Sequence, residues 1–279
     1  MIYMEPLLIS LVEKSRLSIS KTTEQSKKSR LGQFFTPAVI ASFMANMFSR
    51  TSGSNCLLLD PGAGIGSLSA AFLERYISSD FSFDSIEIDA FEIDQSLLPH
   101  LTETIEEYKK QVAIKLTVRN DDFIKTAVNS LCGDLFNKAL PRYTHAILNP
   151  PYKKIRSNSA YRITLRKAGI ETVNLYSAFV ALAIALLDIG GQIVAIIPRS
   201  FCNGPYYLPF RRFIIERAAL QHIHLFSSRN LAFKDDDVLQ ENVIIMMERG
   251  TLQKDVKITT STDASFTDLK TFTCLFDDI

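Results

Sequence analysis

The stretch Cys56-Leu57-Leu58-Leu59-Asp60-Pro61-Gly62-Ala63-Gly64-Ile65-Gly66 constrains the fold more than any other part of this chain. A short apolar run ending in an acid reads as a buried strand, the closely spaced glycines as a tight turn, and the SLSAAFLERY that follows as an amphipathic helix. The same unit recurs downstream. Ile88 to Ile93 predicts a second strand, with a helix over Ser96 to Lys109 after it, and Ala113 to Val118 a third. Ala146 to Leu148 predicts a fourth strand, stopped by Asn149-Pro150-Pro151-Tyr152. A helix over Leu175 to Asp188 leads to a fifth strand, Gln192 to Ile197; a helix over Tyr207 to Ala219 leads to a sixth, His222 to Phe226, and Asn242 to Met247 forms a seventh. Strands alternating with helices build βαβ units, so the expected fold is α/β: a doubly wound, mostly parallel seven-stranded sheet. No helix is legible between the last two strands, which predicts an antiparallel hairpin at that edge. The tail from Asp255 to Ile279 has room for one more strand. Upstream, Thr36-Pro37 before AVIASFMANMF predicts a helix with Thr36 as its cap and Pro37 in the first helical position.

The expected organisation is an N-terminal helix and polar linker over 1–30, a catalytic domain over 31–250 and a C-terminal extension over 251–279. With 47% apolar residues among 279, the chain can bury a large core, and 31 Lys+Arg against 30 Asp+Glu exclude a wholly basic nucleic-acid packer. The four cysteines form no C-x-x-C pair, and His222 and His224 have no acidic or thiol partners in the pattern, so no metal is expected. Leu175 to Leu187, the most apolar stretch, is too short to span a bilayer, and the first residues show no secretory leader. A cytoplasmic, non-membrane setting is expected.

A turn like Asp60 to Gly66 suits several ligands. A P-loop would need Lys after the last glycine, and Ser67 stands there. A dinucleotide site wants G-x-G-x-x-G, and the spacing here is one residue tighter. An acid followed by close glycines resembles motif I of S-adenosylmethionine (SAM)-dependent methyltransferases; a plain structural turn stays open. At the end of the second strand, Glu92 could accept both ribose hydroxyls of a nucleoside, while Asp94 better suits a helix cap. After the third, Asp121-Asp122-Phe123 offers an acceptor for an adenine amino group and a ring to pack on it, or an acidic turn over a core phenylalanine.

Asn149-Pro150-Pro151-Tyr152 is the most informative tetrapeptide. It follows a buried strand, at the carboxyl edge of the sheet where such folds bind ligands. Two prolines stiffen the backbone and leave carbonyls without competing N–H groups. An exocyclic amine such as N6 of adenine is a poor nucleophile because its lone pair is delocalised. Two acceptors, the Asn149 side-chain oxygen and the Pro150 carbonyl, would draw that nitrogen toward tetrahedral geometry, and Tyr152 would offer a flat face to the base. Methylation of cytosine C5 requires a cysteine nucleophile, usually after proline, and the chain has no Pro-Cys.

Taken in order, these segments resemble the N6-adenine DNA methyltransferases of restriction–modification and phage-defence systems, in the arrangement with motif X first. Gly32-Gln33-Phe34-Phe35-Thr36-Pro37 resembles motif X, Asp60 to Gly66 motif I, Glu92-Ile93-Asp94 motif II and Asp122-Phe123 motif III. Asn149 to Tyr152 matches motif IV in full. Asn174-Leu175-Tyr176, Gly190-Gly191 and Ile197 to Phe201 resemble the segments that follow. Phe233 resembles the motif VIII aromatic, with Phe226 a second candidate; Asp235, Asp236 and Asp237 beside Phe233 depart from a phosphate-facing loop. The resemblance spans about residues 30–250. It implies a Rossmann-like SAM-dependent methyltransferase fold, with S-adenosyl-L-methionine held by Thr36, Asp60, Gly62, Gly64, Gly66, Glu92, Asp122 and Phe123. It implies catalysis by Asn149, Pro150, Pro151, Tyr152 and Phe233, on an adenine flipped out of double-stranded DNA and stacked between Tyr152 and Phe233. Family members carry a further domain that reads the target, so a missing C-terminal domain or a separate recognition subunit is expected. Two other readings stay open: the same loop acting on release-factor glutamine or RNA guanine, and a non-catalytic SAM- and DNA-binding subunit.

Lys153, Lys154, Arg156, Arg162, Arg166 and Lys167 follow the reacting loop with no acid among them. Lys153, Lys154, Arg156 and Arg162 are expected to meet DNA phosphates, with Lys27, Lys28 and Arg30 in a supporting role.

Overall fold

The computed structural model describes residues 8–22, 35–49, 52–78, 81–133, 139–227 and 241–279. Helices α1 (Leu8–Thr22) and α2 (Ala38–Met47) precede β1 (Ser52–Pro61). Then α3 (Ser67–Ile77) leads to β2 (Ser82–Phe91), α4 (Leu98–Lys109) to β3 (Ile114–Arg119), and α5 (Phe123–Cys132) to β4 (Tyr143–Leu148). Helices α6 (Ala160–Lys167) and α7 (Leu175–Leu186) come before β5 (Leu187–Pro198), and α8 (Leu208–Ile215) before β6 (Ala218–Phe226). The last three strands are β7 (Asn242–Arg249), β8 (Val256–Ser261) and β9 (Lys270–Cys274).

The strands form one sheet in the order β3-β2-β1-β4-β5-β7-β6-β8-β9. Pairing is parallel from β3 through β5 and between β6 and β8, and β7 runs antiparallel to both its neighbours. The class is the doubly wound α/β sheet that the sequence predicts, but with nine strands among the described residues in place of seven. The predicted hairpin is also not at the edge: β7 inserts between β5 and β6, and the tail supplies β8 and β9 beyond them. Val256, Ile258 and Thr259 are buried, yet single alternating apolar residues among Lys and Thr carry little signal. The predicted helix over Tyr207 to Ala219 is shorter for a similar reason: Ala218 and Ala219 already pair with β7, a choice made by sheet register over intrinsic propensity.

Helices cover both faces. Apolar side chains of α1, α2, α3 and α4 pack with Val194, Ile196, Ile244 and Met246 on one side. Those of α5, α6, α7 and α8 pack with Ile193, Ala195, Val243 and Ile245 on the other, as alternation along each strand requires. The strand order reverses direction between β1 and β4, which opens a crevice at their carboxyl ends.

One local feature overturns the expected cap of α2. Thr36 does not cap; the helix starts at Ala38, whose N–H is bonded by Glu13 Oε2 of α1 at 2.9 Å. At the other end, buried Arg75 of α3 donates to the Ala45 and Phe48 carbonyls at 2.5 and 2.8 Å. Side chains from two helices thus satisfy both termini of α2, and Thr36, released from capping, turns toward the reacting loop.

Candidate cofactor pocket and reacting loop

A cavity of about 410 Å³ lies over the carboxyl ends of β1, β2, β3 and β4. Its walls include Phe35, Phe91, Phe123 and Phe179, with Gly62 and Gly64 on one side and Glu92, Asp121 and Asp122 at one end. The Phe123 ring stands edge-on to Phe91 at 5.1 Å and tilted against Phe179 at 5.1 Å. An apolar slot ending in carboxylates suits a flat base attached to a hydroxylated sugar.

The glycine turn is braced from within. Gly62 and Ala63 N–H both donate to the Phe91 carbonyl, at 2.8 and 2.9 Å, and Gly64 N–H donates to Glu92 Oε2 at 2.9 Å. These N–H groups are therefore engaged, and what the turn offers a ligand is closeness. Gly62, Gly64 and Gly66 have φ of +80°, +58° and +87°. A Cβ on Gly64 would stand 3.4 Å from the Phe35 ring, within the slot, and one on Gly62 3.7 Å from Phe179. Gly66 differs: its Cβ would meet Leu101 at 3.0 Å and Thr104 at 3.3 Å, so this glycine lets α3 approach α4 and does not line the cavity. Gly66→Ala should cost roughly 2 kcal/mol, from the left-handed backbone and the crowding together. Urea unfolding would check this, and Gly64→Ala should instead weaken cofactor binding in calorimetry.

Asp60, at the end of β1, is fully buried. Its Oδ2 accepts from Ser69 at 2.6 Å, and Oδ1 meets no hydrogen-bond partner among the described residues. Burial pushes its carboxyl pKa up to about 7, against the pull of the Ser69 bond. Glu92 is 3% exposed; beside Gly64, its other oxygen accepts from Asp94 N–H at 2.7 Å. Burial raises its pKa and these bonds pull part of the way back. Asp94 takes the predicted cap role, accepting from Ser96 N–H. Asp122 caps α5 through Lys125 N–H, accepts from the Tyr161 hydroxyl at 2.8 Å and lines the cavity, so the two expected alternatives, acidic turn and cavity acid, are not exclusive at this residue.

Asn149 leaves β4 at the cavity wall. Its Nδ2 donates to Thr36 Oγ1 at 3.0 Å. The Tyr152 hydroxyl lies 3.1 Å from Asn149 Oδ1 and 3.2 Å from the Ile196 carbonyl, which share its proton. The amide is thereby oriented by partners far apart in the chain, with a second lone pair on Oδ1 for an incoming N–H. Burial of the hydroxyl end holds Tyr152 protonated, its pKa driven far above the usual phenol range. Asn149 and Pro151 line the cavity; Tyr152, half-buried and not in that lining, stands edge-on to Tyr176 at 6.2 Å.

Lys153 and Lys154 project from a pinned segment. Leu175 N–H donates to the Lys153 carbonyl at 2.8 Å, and Ile155 N–H to the Val173 carbonyl at 2.7 Å. Lys153, Lys154 and Arg156 are exposed at the cavity mouth. Arg162 is mostly covered and ion-paired to Glu171, which also pairs with Arg166 at 2.7 Å. Glu171 lies just beyond the acid-free run, so charge counting along that run overstates the cation available there. Phe233 lies outside the described residues, as do Lys27, Lys28, Arg30 and Gly32 to Phe34. Several cavity residues escaped the sequence reading, Phe91, Phe179 and Tyr161 among them. Phe179 is indistinguishable from core in an apolar helix, and Tyr161 stands in a basic run where charge drew attention.

The family model described as Eco57I restriction-modification methylase matches residues 11–233. The chain belongs to that family. It is 52% identical over 274 residues to Type II methyltransferase M.BsuBI of Bacillus subtilis, covering 98% of this chain and 54% of that protein. It is 40% identical over 275 residues to Type II methyltransferase M.PstI of Providencia stuartii, covering 96% and 53%. The chain thus spans about half the length of these curated relatives. In fold it is similar to a class I SAM-dependent methyltransferase, so described provisionally, from Listeria monocytogenes, with TM-score 0.68 at 14% identity over 92% of this chain and 73% of that one. A modification subunit assigned to a type I restriction enzyme of Vibrio vulnificus gives TM-score 0.66 at 14% identity, over 93% and 53%. The SAM-dependent methyltransferase fold is therefore the fold of this family member, and among the described residues no helix is long and apolar enough to cross a membrane.

Proposed function

We propose that this chain is the catalytic part of an N6-adenine DNA methyltransferase that uses S-adenosyl-L-methionine. The observation that carries the reading is the Thr36–Asn149–Tyr152 network, which aims a stiffened amide oxygen beside an aromatic slot. The residues fit the cofactor on two further observations: the partnerless Oδ1 of buried Asp60, and a turn whose missing Cβ atoms leave room between Phe35 and Phe179. Thr36, Asp60, Gly62, Gly64, Glu92, Asp122 and Phe123 would hold it, with Gly66 shaping the turn. When bound, the cofactor supplies a methyl group on a sulfonium.

The chain's own residues do the rest. Asn149 Oδ1 and the Pro150 carbonyl accept the two N–H bonds of the amine and so return lone-pair density to nitrogen. Pro150 and Pro151 keep those acceptors from rearranging. Tyr152 and Phe233 hold the base once it has left the stack, since N6 cannot be approached at reactive geometry inside a duplex. Lys153, Lys154 and Arg156 meet the flanking phosphates, and Arg162, through Glu171, shapes the helix behind them. Residues 31–250 carry this chemistry. Reading of the target falls to a further domain reached through 251–279, or to a partner subunit; the double length of the Type II relatives supports this. The setting is cytoplasmic, in a restriction–modification or phage-defence role.

Incubation with methyl-labelled SAM and duplex DNA, ribosomal RNA or release factor tests the reading. Label in DNA, recovered as N6-methyladenine after digestion, is expected. Label only in RNA or protein, or recovery as a cytosine derivative, overturns it. Tyr152→Ala should weaken capture of an extrahelical base at least tenfold, read by 2-aminopurine fluorescence, and leave SAM affinity within about threefold, the range of a lost stacking contact. Equal loss of both would contradict the stacking role.

A further inference from the structure

Asn242 opens β7, and the mechanism above makes no use of it. It is 3% exposed, and neither its Nδ2 nor its Oδ1 has a hydrogen-bond partner among the described residues. A buried amide with both ends unpaired destabilises the fold it sits in, so its presence needs a reason outside folding. Its position supplies one. Because β7 is antiparallel to β5, its first residue lies at the carboxyl edge of the parallel strands, opposite Pro198. Arg199 N–H donates to the Glu241 carbonyl at 2.7 Å and fixes the strand start there. By alternation the Asn242 side chain shares the sheet face of Ile244 and Met246, the face packed against α2. Thr36, which orients Asn149, leads into α2 on that same face. Between Asn149 at the end of β4 and Asn242 on β7 lies only β5; Leu148 pairs with Ala195 and Asn242 with Pro198, so the two backbone positions are two inter-strand spacings of about 4.8 Å apart across the sheet and offset by about two residues along it.

We infer that Asn242 is a base-reading residue, whose side-chain amide donates through Nδ2 to a ring nitrogen of the flipped adenine while Asn149 and Pro150 hold its N6. The inference rests on the adenine reading above and adds the opposite end of the base to it. Ring nitrogens are acceptors only, which matches the Nδ2 donor. Unpaired among the described residues, the amide takes the base as its partner.

The test is Asn242→Leu, which keeps volume and removes both polar atoms. Removing an unpaired amide should leave the melting temperature equal to or above wild type. Affinity for SAM should stay within twofold, while kcat/KM for duplex DNA falls at least tenfold. Once the methylated adenine has been mapped, duplexes carrying 1-deaza-, 3-deaza- or 7-deazaadenine at that position complete a cycle. Wild type should lose activity with one of them, and the Leu variant should lose no more with that one. A lowered melting temperature, unchanged kcat/KM, or fully additive losses with every deaza base overturn the inference. Failure of wild type to methylate adenine at all sinks the parent reading instead, and the two failures are therefore distinct.

Discussion

Asn149→Ala should lower kcat for DNA methylation by at least ~10²-fold, as removal of a preorganised partner of developing charge does elsewhere, while SAM affinity changes less than about threefold. The expected loss is large because nothing else nearby can replace the Oδ1 acceptor: Pro150 offers one carbonyl, and an amine with one acceptor keeps its lone pair in the ring. The same variant releases Thr36 and Tyr152 from their bonds, at about 1 kcal/mol each, so a modest fall in stability accompanies the kinetic effect. Thr36→Val separates the two contributions. It leaves Oδ1 in place but removes the acceptor that orients the amide, so kcat should fall less than in Asn149→Ala. Single-turnover methylation and calorimetry check both variants; near-normal turnover in Asn149→Ala would refute the role given to this residue.

Asp60→Asn should weaken SAM binding by roughly tenfold or more at pH 8, the scale of a lost hydrogen bond to a charged group, and yet stabilise the cofactor-free protein at that pH. The sign follows from the raised pKa. The unfolded carboxyl ionises near 4, and the folded one near 7, because burial favours its neutral form. The native state therefore holds a proton that the unfolded state has lost between those values, and stability falls as pH rises from 4 through 7. Asparagine removes that loss, so the variant and wild type should unfold alike at pH 4 and differ most at pH 8. A cationic ligand reverses the preference by favouring the carboxylate. Wild-type affinity should then rise from pH 6 to pH 8, and that rise should vanish in Asp60→Asn. Calorimetry across this range checks it; a pH-independent affinity in wild type would assign Asp60 a purely structural role.

Much of this was legible because the relevant residues break local rules. Three glycines opening a helix, and a double proline ending a strand, are costly unless backbone closeness and rigidity are wanted, and both sit where strand ends meet the cavity. Residues that obey local rules hid. Phe179 and Phe91 have the apolar neighbours of any core position, and only the sheet's reversal between β1 and β4 turns them toward a ligand. Thr36 fitted a cap so well that its bond to Asn149 was invisible from the chain order, and the Glu13 carboxylate that took over the cap comes from another helix. The edge strands β8 and β9 were obscured by short, polar, alternating sequence, and the position of β7 by the fact that pairing order is not chain order.

The bond between Thr36 and Asn149 joins residues separated by 113 positions, across four strands of chain. Closing so long a loop is slow, because its entropy must be surrendered before the contact repays it. Local hairpins and helices can therefore collect well ahead of the finished centre. During refolding from denaturant, ellipticity should recover first and methyl transfer last, with a lag between them. On the proposed function, a nascent or damaged molecule of this kind would stay chemically silent until its distant segments have met, which would spare the genome from modification by half-built enzyme.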